Sequence, residues 1–376
     1  MIRKWIWIMI CCIYLIGCSQ QRIPLEKVSL ILLIAIDKTS NKDIKVGTSI
    51  PLFHHEKQKS TVEHWVHAST VYTGFSKIDT KLTGYVTSSK AEVILIGKKF
   101  AQEENWIQAL DSSYRDPYAT INAKVVVVDG PAEDIFKIKR SDKPLLPSYI
   151  NDVIESSIQN NQSVSSTIQQ LIREKNEQGM TQTLPIIKRI NNEIDTIGIA
   201  FLNHRGKYVT KISKKDVKFF NLINKTQVAG RMILHPVLSP KKSDNNPNSS
   251  ILVQDAKRKI NVDFKNGKFI FTIDLNMDVS LIERSSNNLN RNHLHGNINT
   301  IKLEREIQQE FEKKLQSIVH DMQKNKIDPL GLSLYARAFQ YKEWKKVKDD
   351  WLYAFSNAKI HINTHIKIKD TGTIRN

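Results

Sequence analysis

Val125-Val126-Val127-Val128, closed at once by Asp129-Gly130-Pro131, is a short β-branched run with a hard stop. Such a run, too short for a helix and bounded by turn residues, reads as a strand buried on both faces. Ala91 to Ile96 upstream is a second strand of the same kind. Ser29 to Ile36, ended by Asp37-Lys38, is a third, and Ile44 to Ile50 can pair with it across the polar turn 37–43. Val71 to Leu82 has helical spacing and Glu103 to Leu110 reads as a helix, with Asp116-Pro117 interrupting the chain. Strands alternating with helices predict an α/β or α+β layer, its sheet covered on at least one face.

Pro144 and Pro147 mark a change of character. Tyr149–Ile158 and Val164–Ile172 look like helices, followed by strands around Leu184–Ile190, Thr196–Leu202 and Tyr208–Ile212 and a helix over Asp216–Ile223. The stretch 239–250 has no apolar residue and carries two prolines, the composition of a linker. Beyond it, Ile251–Phe264 and Lys268–Ile282 form strands about Asn266-Gly267, and 285–299 is a polar loop. Thr300–Lys324 is an amphipathic helix with Ile307, Phe311, Leu315, Ile318 and Met322 on one stripe. A second helix runs through Trp344, Val347 and Trp351. A last strand alternates, with Ile360, Ile362, Ile366 and Ile368 on one face. The expected organisation is a leader over 1–17, an N-terminal α/β domain over 18–140, a middle α+β domain over 141–238, the linker, and a C-terminal α/β domain over 251–376.

The leader is an export signal: Arg3-Lys4, an apolar stretch from Trp5 to Leu15, then a small residue at the cut. It is short for a spanning helix, which needs about 20 apolar residues. Its end, Leu15-Ile16-Gly17-Cys18, matches a lipobox, in which small Gly17 admits the peptidase and the Cys18 thiol becomes a diacylglyceryl thioether. The sequence has three cysteines, Cys11, Cys12 and Cys18, so a chain cleaved before Cys18 keeps one, acylated and unable to form a disulfide. That count leaves no thiol nucleophile or cysteine-ligated metal for the body.

A formal net charge of +18 favours anionic surfaces, and an exported chain meets lipid headgroups rather than nucleic acid. Eleven histidines raise the question of a metal. His54-His55-Glu56 and His64/His67 form the densest cluster, but no His-Glu-x-x-His is present. His64 and His67 could share a helical face, although a polar loop is the simpler reading; His361 and His365 fall on the outer face of the last strand. No Gly-x-Ser-x-Gly, phosphate loop or dinucleotide fingerprint occurs, and no pattern forces two carboxylates together. Trp344 and Trp351, seven residues apart, read as a core stripe before a sugar platform.

Several motifs carry a resemblance in their order and spacing. They are Asp328-Pro329-Leu330-Gly331, Glu343-Trp344-Lys345-Lys346, Trp351, Phe355-Ser356-Asn357-Ala358-Lys359 and a strand closing on Thr371-Gly372. Upstream stand the lipobox, Ile36-Asp37-Lys38, Ala91-Glu92-Val93-Ile94-Leu95-Ile96-Gly97, and Ile197-Gly198-Ile199-Ala200-Phe201 before Gly206-Lys207. Together these resemble the Ger(x)C spore germination lipoproteins, the C subunits of nutrient germinant receptors. The chain departs from the family pattern at Lys215-Asp216-Val217-Lys218, at Phe219-Phe220 and at Lys369-Asp370. The resemblance implies three domains, each a sheet with packed helices. It implies no enzymatic activity and no cofactor besides the lipid on Cys18. It also implies assembly with A-type and B-type membrane subunits at the outer face of the cytoplasmic membrane, the spore inner membrane. Asp328, Pro329, Gly331, Trp344 and Trp351 are the candidate partner-contact residues.

Two other classes are open on the residues alone. A solute-binding lipoprotein delivering a small ligand to a transporter requires a deep cleft between two similar lobes. A wall-acting enzyme requires convergent carboxylates or a histidine–metal site.

Overall fold

The computed structural model describes residues 24, 28–39, 43–52, 60–82, 84–116, 119–138, 144–225, 227–228, 232–234, 248–285 and 300–370. Gly17 and Cys18, the segment with His54, His55 and Glu56, linker residues 239–247 and the loop 286–299 lie outside the described residues.

The chain enters through β1 (Val28–Leu30), which pairs in parallel with β5 (Tyr85–Thr87), so Val28 stands opposite Tyr85. The predicted run Ser29–Ile36 is thus divided between β1 and β2 (Leu33–Lys38). Strands β2, β6 (Val93–Gly97), β7 (Lys124–Val128) and β8 (Thr183–Ile190) lie parallel, side by side. β3 (Ile44–Leu52) and β4 (Ser60–Ala68) add antiparallel to one edge. β9 (Glu193–Leu202) and β10 (Tyr208–Ser213) add to the other, giving an eight-stranded sheet.

Continuous apolar strands are required because both faces are covered. On one face Ile34, Ile36, Ile94, Ile96, Val125 and Val127 pack with α1 (Val71–Asp79), a 3₁₀ turn over Trp106–Leu110, and α6 (Ile168–Asn176). On the other, Leu33, Ala35, Val93, Leu95, Val126 and Val128 pack against α4 (Glu133–Phe136) and α5 (Leu146–Gln159). Short α2 (Lys98–Ala101) and α3 (Asp111–Arg115) complete this part, and α7 (Lys214–Asn224) follows β10. The expected helix over Glu103–Leu110 is reduced to the 3₁₀ turn, entered through a left-handed Asn105 at φ 59°.

The division expected at residue 140 is not a break in the sheet. Val127 and Val128 pair with Ile186 and Ile187, so the first and middle units share one hydrogen-bonded layer. Pro147 opens α5, and that helix belongs to the crossover between parallel strands β7 and β8 rather than to a new domain. His64 and His67 sit on β4, where an odd spacing points them to opposite faces; the shared helical face is therefore corrected.

The C-terminal sheet is built on a hairpin of two 18-residue strands, β13 (Asn248–Lys265) and β14 (Lys268–Ser285). Asn266 and Gly267 turn it with φ of 52° and 73°, the left-handed pair that a two-residue hairpin needs. Short β11 (Gln227–Val228) and β12 (Met232–Leu234) pair with β13, and β15 (Lys359–Asp370) runs parallel to β14. The alternation expected of β15 holds, with Ile360, Ile362 and Ile366 buried. Helix α8 (Thr300–Lys324) covers that face with the predicted stripe, all five residues buried. α9 (Leu332–Phe339), α10 (Tyr341–Val347) and α11 (Trp351–Ser356) follow, so the single helix expected through both tryptophans is broken into pieces.

Strand β9 joins the two parts. Ala200 and Leu202 face the core of the large sheet, whereas Ile199 and Phe201 face the C-terminal core, with Phe201 edge-on to Phe220 at 5.6 Å.

Two substitutions on α8 test this packing. Phe311 is buried and edge-on to Phe219 at 5.2 Å, so Phe311→Ala is expected to cost about 3–5 kcal/mol in urea unfolding. Ile301 is 62 % exposed, and Ile301→Ala should stay within about 0.5 kcal/mol.

Candidate functional site

Asp328, Pro329, Gly331, Trp344 and Trp351 are all buried, so none offers a partner its side chain. The structure corrects their reading as a docking face and shows what they do instead. The chain turns after α8, and Gly331, left-handed at φ 65°, leads into α9. The Asp328 carboxylate caps that helix: Leu332 N–H donates to Oδ1 at 3.0 Å and Ser333 N–H to Oδ2 at 2.9 Å. Trp351 Nε1–H donates to the same Oδ2 at 2.9 Å. Trp344 Nε1–H donates to Ser333 Oγ at 3.1 Å, and Ser333 Oγ–H donates onward to Gln178 O at 2.7 Å. The break between α10 and α11 lets both indoles reach this group.

The segment just before β8 is held by the same residues. Asp328 N–H donates to Thr181 Oγ1 at 2.7 Å, and Thr181 N–H donates to Asp328 O at 3.1 Å. Gly179, at φ 82°, lies where a β-carbon would come within 2.4 Å of Trp351 and 2.6 Å of Ser333 Oγ. Arg337 pairs with Glu177 at 2.6 Å and lies over the Trp344 ring at 5.7 Å. The cluster is therefore a joint between the C-terminal helices and the approach to the large sheet. Burial pushes the Asp328 carboxyl up to about 6, and the amide and indole donors pull it part of the way back.

A second buried carboxylate stands where parallel α/β sheets commonly bind ligands, at the carboxyl ends of their strands. Asp37, at the end of β2, accepts from Ala132 N–H at 2.8 Å and Glu133 N–H at 3.0 Å. Gly97 leaves it room, since a β-carbon there would lie 1.8 Å from Asp37 Oδ1. Burial raises the Asp37 carboxyl, with the two amides opposing. Around it Lys45 pairs with Glu133 at 2.7 Å, while Lys98 and Lys211 both reach Asp129, at 2.7 and 3.0 Å. These charges engage one another at the strand ends rather than lining a deep cavity.

A cleft of about 190 Å³ opens between α1, β5 and α3, lined by Tyr72, Phe75, Asp79, Tyr85, Ser112 and Asp116 among others. Tyr72 and Phe75 come from α1 and Tyr85 from β5, so the cleft exists only once these elements pack together and leaves no contiguous motif in the sequence. Among the described residues, no three His, Cys, Asp or Glu side chains gather as a metal site, and His361 and His365 lie on the exposed face of β15.

Comparison with known proteins bears on the chain as a whole. Two family models match it: the spore germination protein N-terminal domain over residues 21–189, and the spore germination B3/GerAC-like C-terminal domain over 197–372. The chain belongs to the Ger(x)C family of spore germination proteins. Spore germination protein GerQC of Bacillus cereus is 20% identical over 98% of this chain and 99% of its own length. Spore germination protein B3 of Bacillus subtilis is 23% identical over 96% and 95%. The crystal structure of the GerBC protein covers 89% of this chain and 96% of its own, with a TM-score of 0.56 and 20% identity, a likeness of fold. In this Ger(x)C chain the seam between the two family domains falls in the β8–β9 hairpin, inside the large sheet.

The Asp328 joint has a pH signature. Its carboxyl titrates higher folded than unfolded, so the folded chain takes up the proton first, and this group's contribution to stability rises as pH falls through about 6. Between pH 7 and pH 5 the native chain should gain about 1.4 kcal/mol of unfolding free energy relative to Asp328→Asn, measured by urea unfolding. A gap independent of pH would contradict the buried, ionisable Asp328.

Proposed function

We propose that this chain is the lipid-anchored C subunit of a nutrient germinant receptor and works by assembly rather than catalysis. The observation that carries the reading is the match to spore germination domains across both parts of the chain. The lipobox Leu15-Ile16-Gly17-Cys18 supplies the anchor. Two or three acyl chains hold a protein durably on a bilayer where one does not. Among the described residues no helix is long and apolar enough to cross a membrane. The anchor confines the body near A-type and B-type membrane subunits and raises their effective concentration without new contacts. The full sequence carries +18, and the chain cleaved before Cys18 keeps 18 − 2 = +16 once Arg3 and Lys4 leave with the leader, a balance that draws it to anionic lipid at the outer face of the spore inner membrane.

The solute-binding alternative needs two similar lobes about a deep cleft. The eight-stranded sheet and the hairpin-based C-terminal sheet are unlike in order and in strand direction, which favours the receptor reading.

A clean deletion should abolish or strongly delay nutrient germination of purified spores through the cognate receptor. Normal nutrient germination in a strain lacking redundant receptors would overturn the reading. Cys18→Ala should abolish incorporation of labelled palmitate, and label persisting on that variant would rule out Cys18 as the acceptor.

A further inference from the structure

We infer that the face of the N-terminal part bearing Tyr72 and Tyr85 lies against the anionic lipid surface, orienting the body as well as tethering it. The inference rests on the Cys18 anchor proposed above and adds which face turns to the bilayer. Nine residues, 19–27, lie between Cys18 and Val28, the first residue of β1, so ten Cα-to-Cα steps join them. Those ten steps can reach at most about 35 Å. β1 runs parallel to β5 with Val28 opposite Tyr85, so the end of β1 that receives the tether lies beside Tyr85.

That corner is aromatic and exposed. Tyr85 is 58 % exposed and Tyr72, across the cleft on α1, is 70 % exposed. Tyrosine presents an apolar ring and a polar hydroxyl, the combination enriched at the level of lipid headgroups. Lys77, Lys81 and Lys90 lie exposed on the same stretch of chain and suit an anionic headgroup layer. Of the carboxylates lining the cleft, Asp79 accepts from Val86 N–H at 3.1 Å, and Asp116 is also engaged. The short tether, the placement of β1 and the paired tyrosines therefore select one face among several the lipid alone would allow.

The test uses residues 19–376 with a polyhistidine tag in place of Cys18. The protein is held on vesicles of phosphatidylcholine and phosphatidylglycerol containing nickel-chelating lipid and headgroup nitroxide lipid. The chain then has no cysteine, so a fluorophore can be placed singly at Lys90→Cys, beside β5, or at Lys345→Cys, exposed on α10. The label at 90 should be quenched at least twofold more than that at 345, and Tyr72→Ser with Tyr85→Ser should remove the difference. Equal quenching, or stronger quenching at 345, would overturn the orientation. A preference untouched by the double tyrosine variant would overturn the role of the tyrosines. Acylation is read separately, from the mass of the native N-terminus, so failure of the anchor and failure of the orientation are distinguishable.

Discussion

The structure depends on four parallel strands that have no wet face. A parallel sheet satisfies its own backbone polar groups, but side chains that alternate up and down and are apolar both ways leave water nowhere to sit. In β2, β6 and β7 every residue from Leu33 to Ile36, Val93 to Ile96 and Val125 to Val128 is buried. Helices must then be found for both sides, and the order of elements follows from that demand. α5 crosses one face between β7 and β8, while α1 and α6 cover the other. The polar ends of these strands solve a different problem. Where β2 leaves the core, Asp37 meets two helix amides and Gly97 stands aside, so a charge is brought close to the interior without being orphaned.

Legibility from sequence follows the range of the interactions. Periodicity is local, and the elements it governs are readable: α8 from Thr300 to Lys324, the hairpin about Asn266-Gly267, the alternation of β15 and the valine strand. The placement of the sheet edge is not, because pairing of Val127–Val128 with Ile186–Ile187 spans almost sixty residues and leaves no mark in either run. Pro144 and Pro147 look like a boundary at short range, but the second of them simply opens a crossover helix. His64 and His67 show the same limit: their spacing fits a helix face, and pairing with β3 makes them a strand.

The C-terminal motifs teach a second distinction. Asp328, Gly331, Trp344 and Trp351 were picked out because they carry the resemblance, and a distinctive residue invites a functional role. Their geometry is architectural. One carboxylate receives two amides and an indole, one serine relays a second indole to Gln178, and a glycine without room for a methyl presses against them. Such residues are distinctive because few alternatives fit a fully satisfied buried polar cluster. The exposed residues available for contact, Tyr72 and Tyr85 among them, carry no motif at all.

Strand β9 has a consequence for how the molecule responds to stress. Its alternate residues belong to different cores, Ala200 and Leu202 to one and Ile199 and Phe201 to the other. A strand of this kind cannot be withdrawn from either core without opening both. Two sheets that resemble independent modules are thereby coupled into one cooperative unit, and the melting of either part carries the other with it. The shared strand replaces a hinge with a common fate.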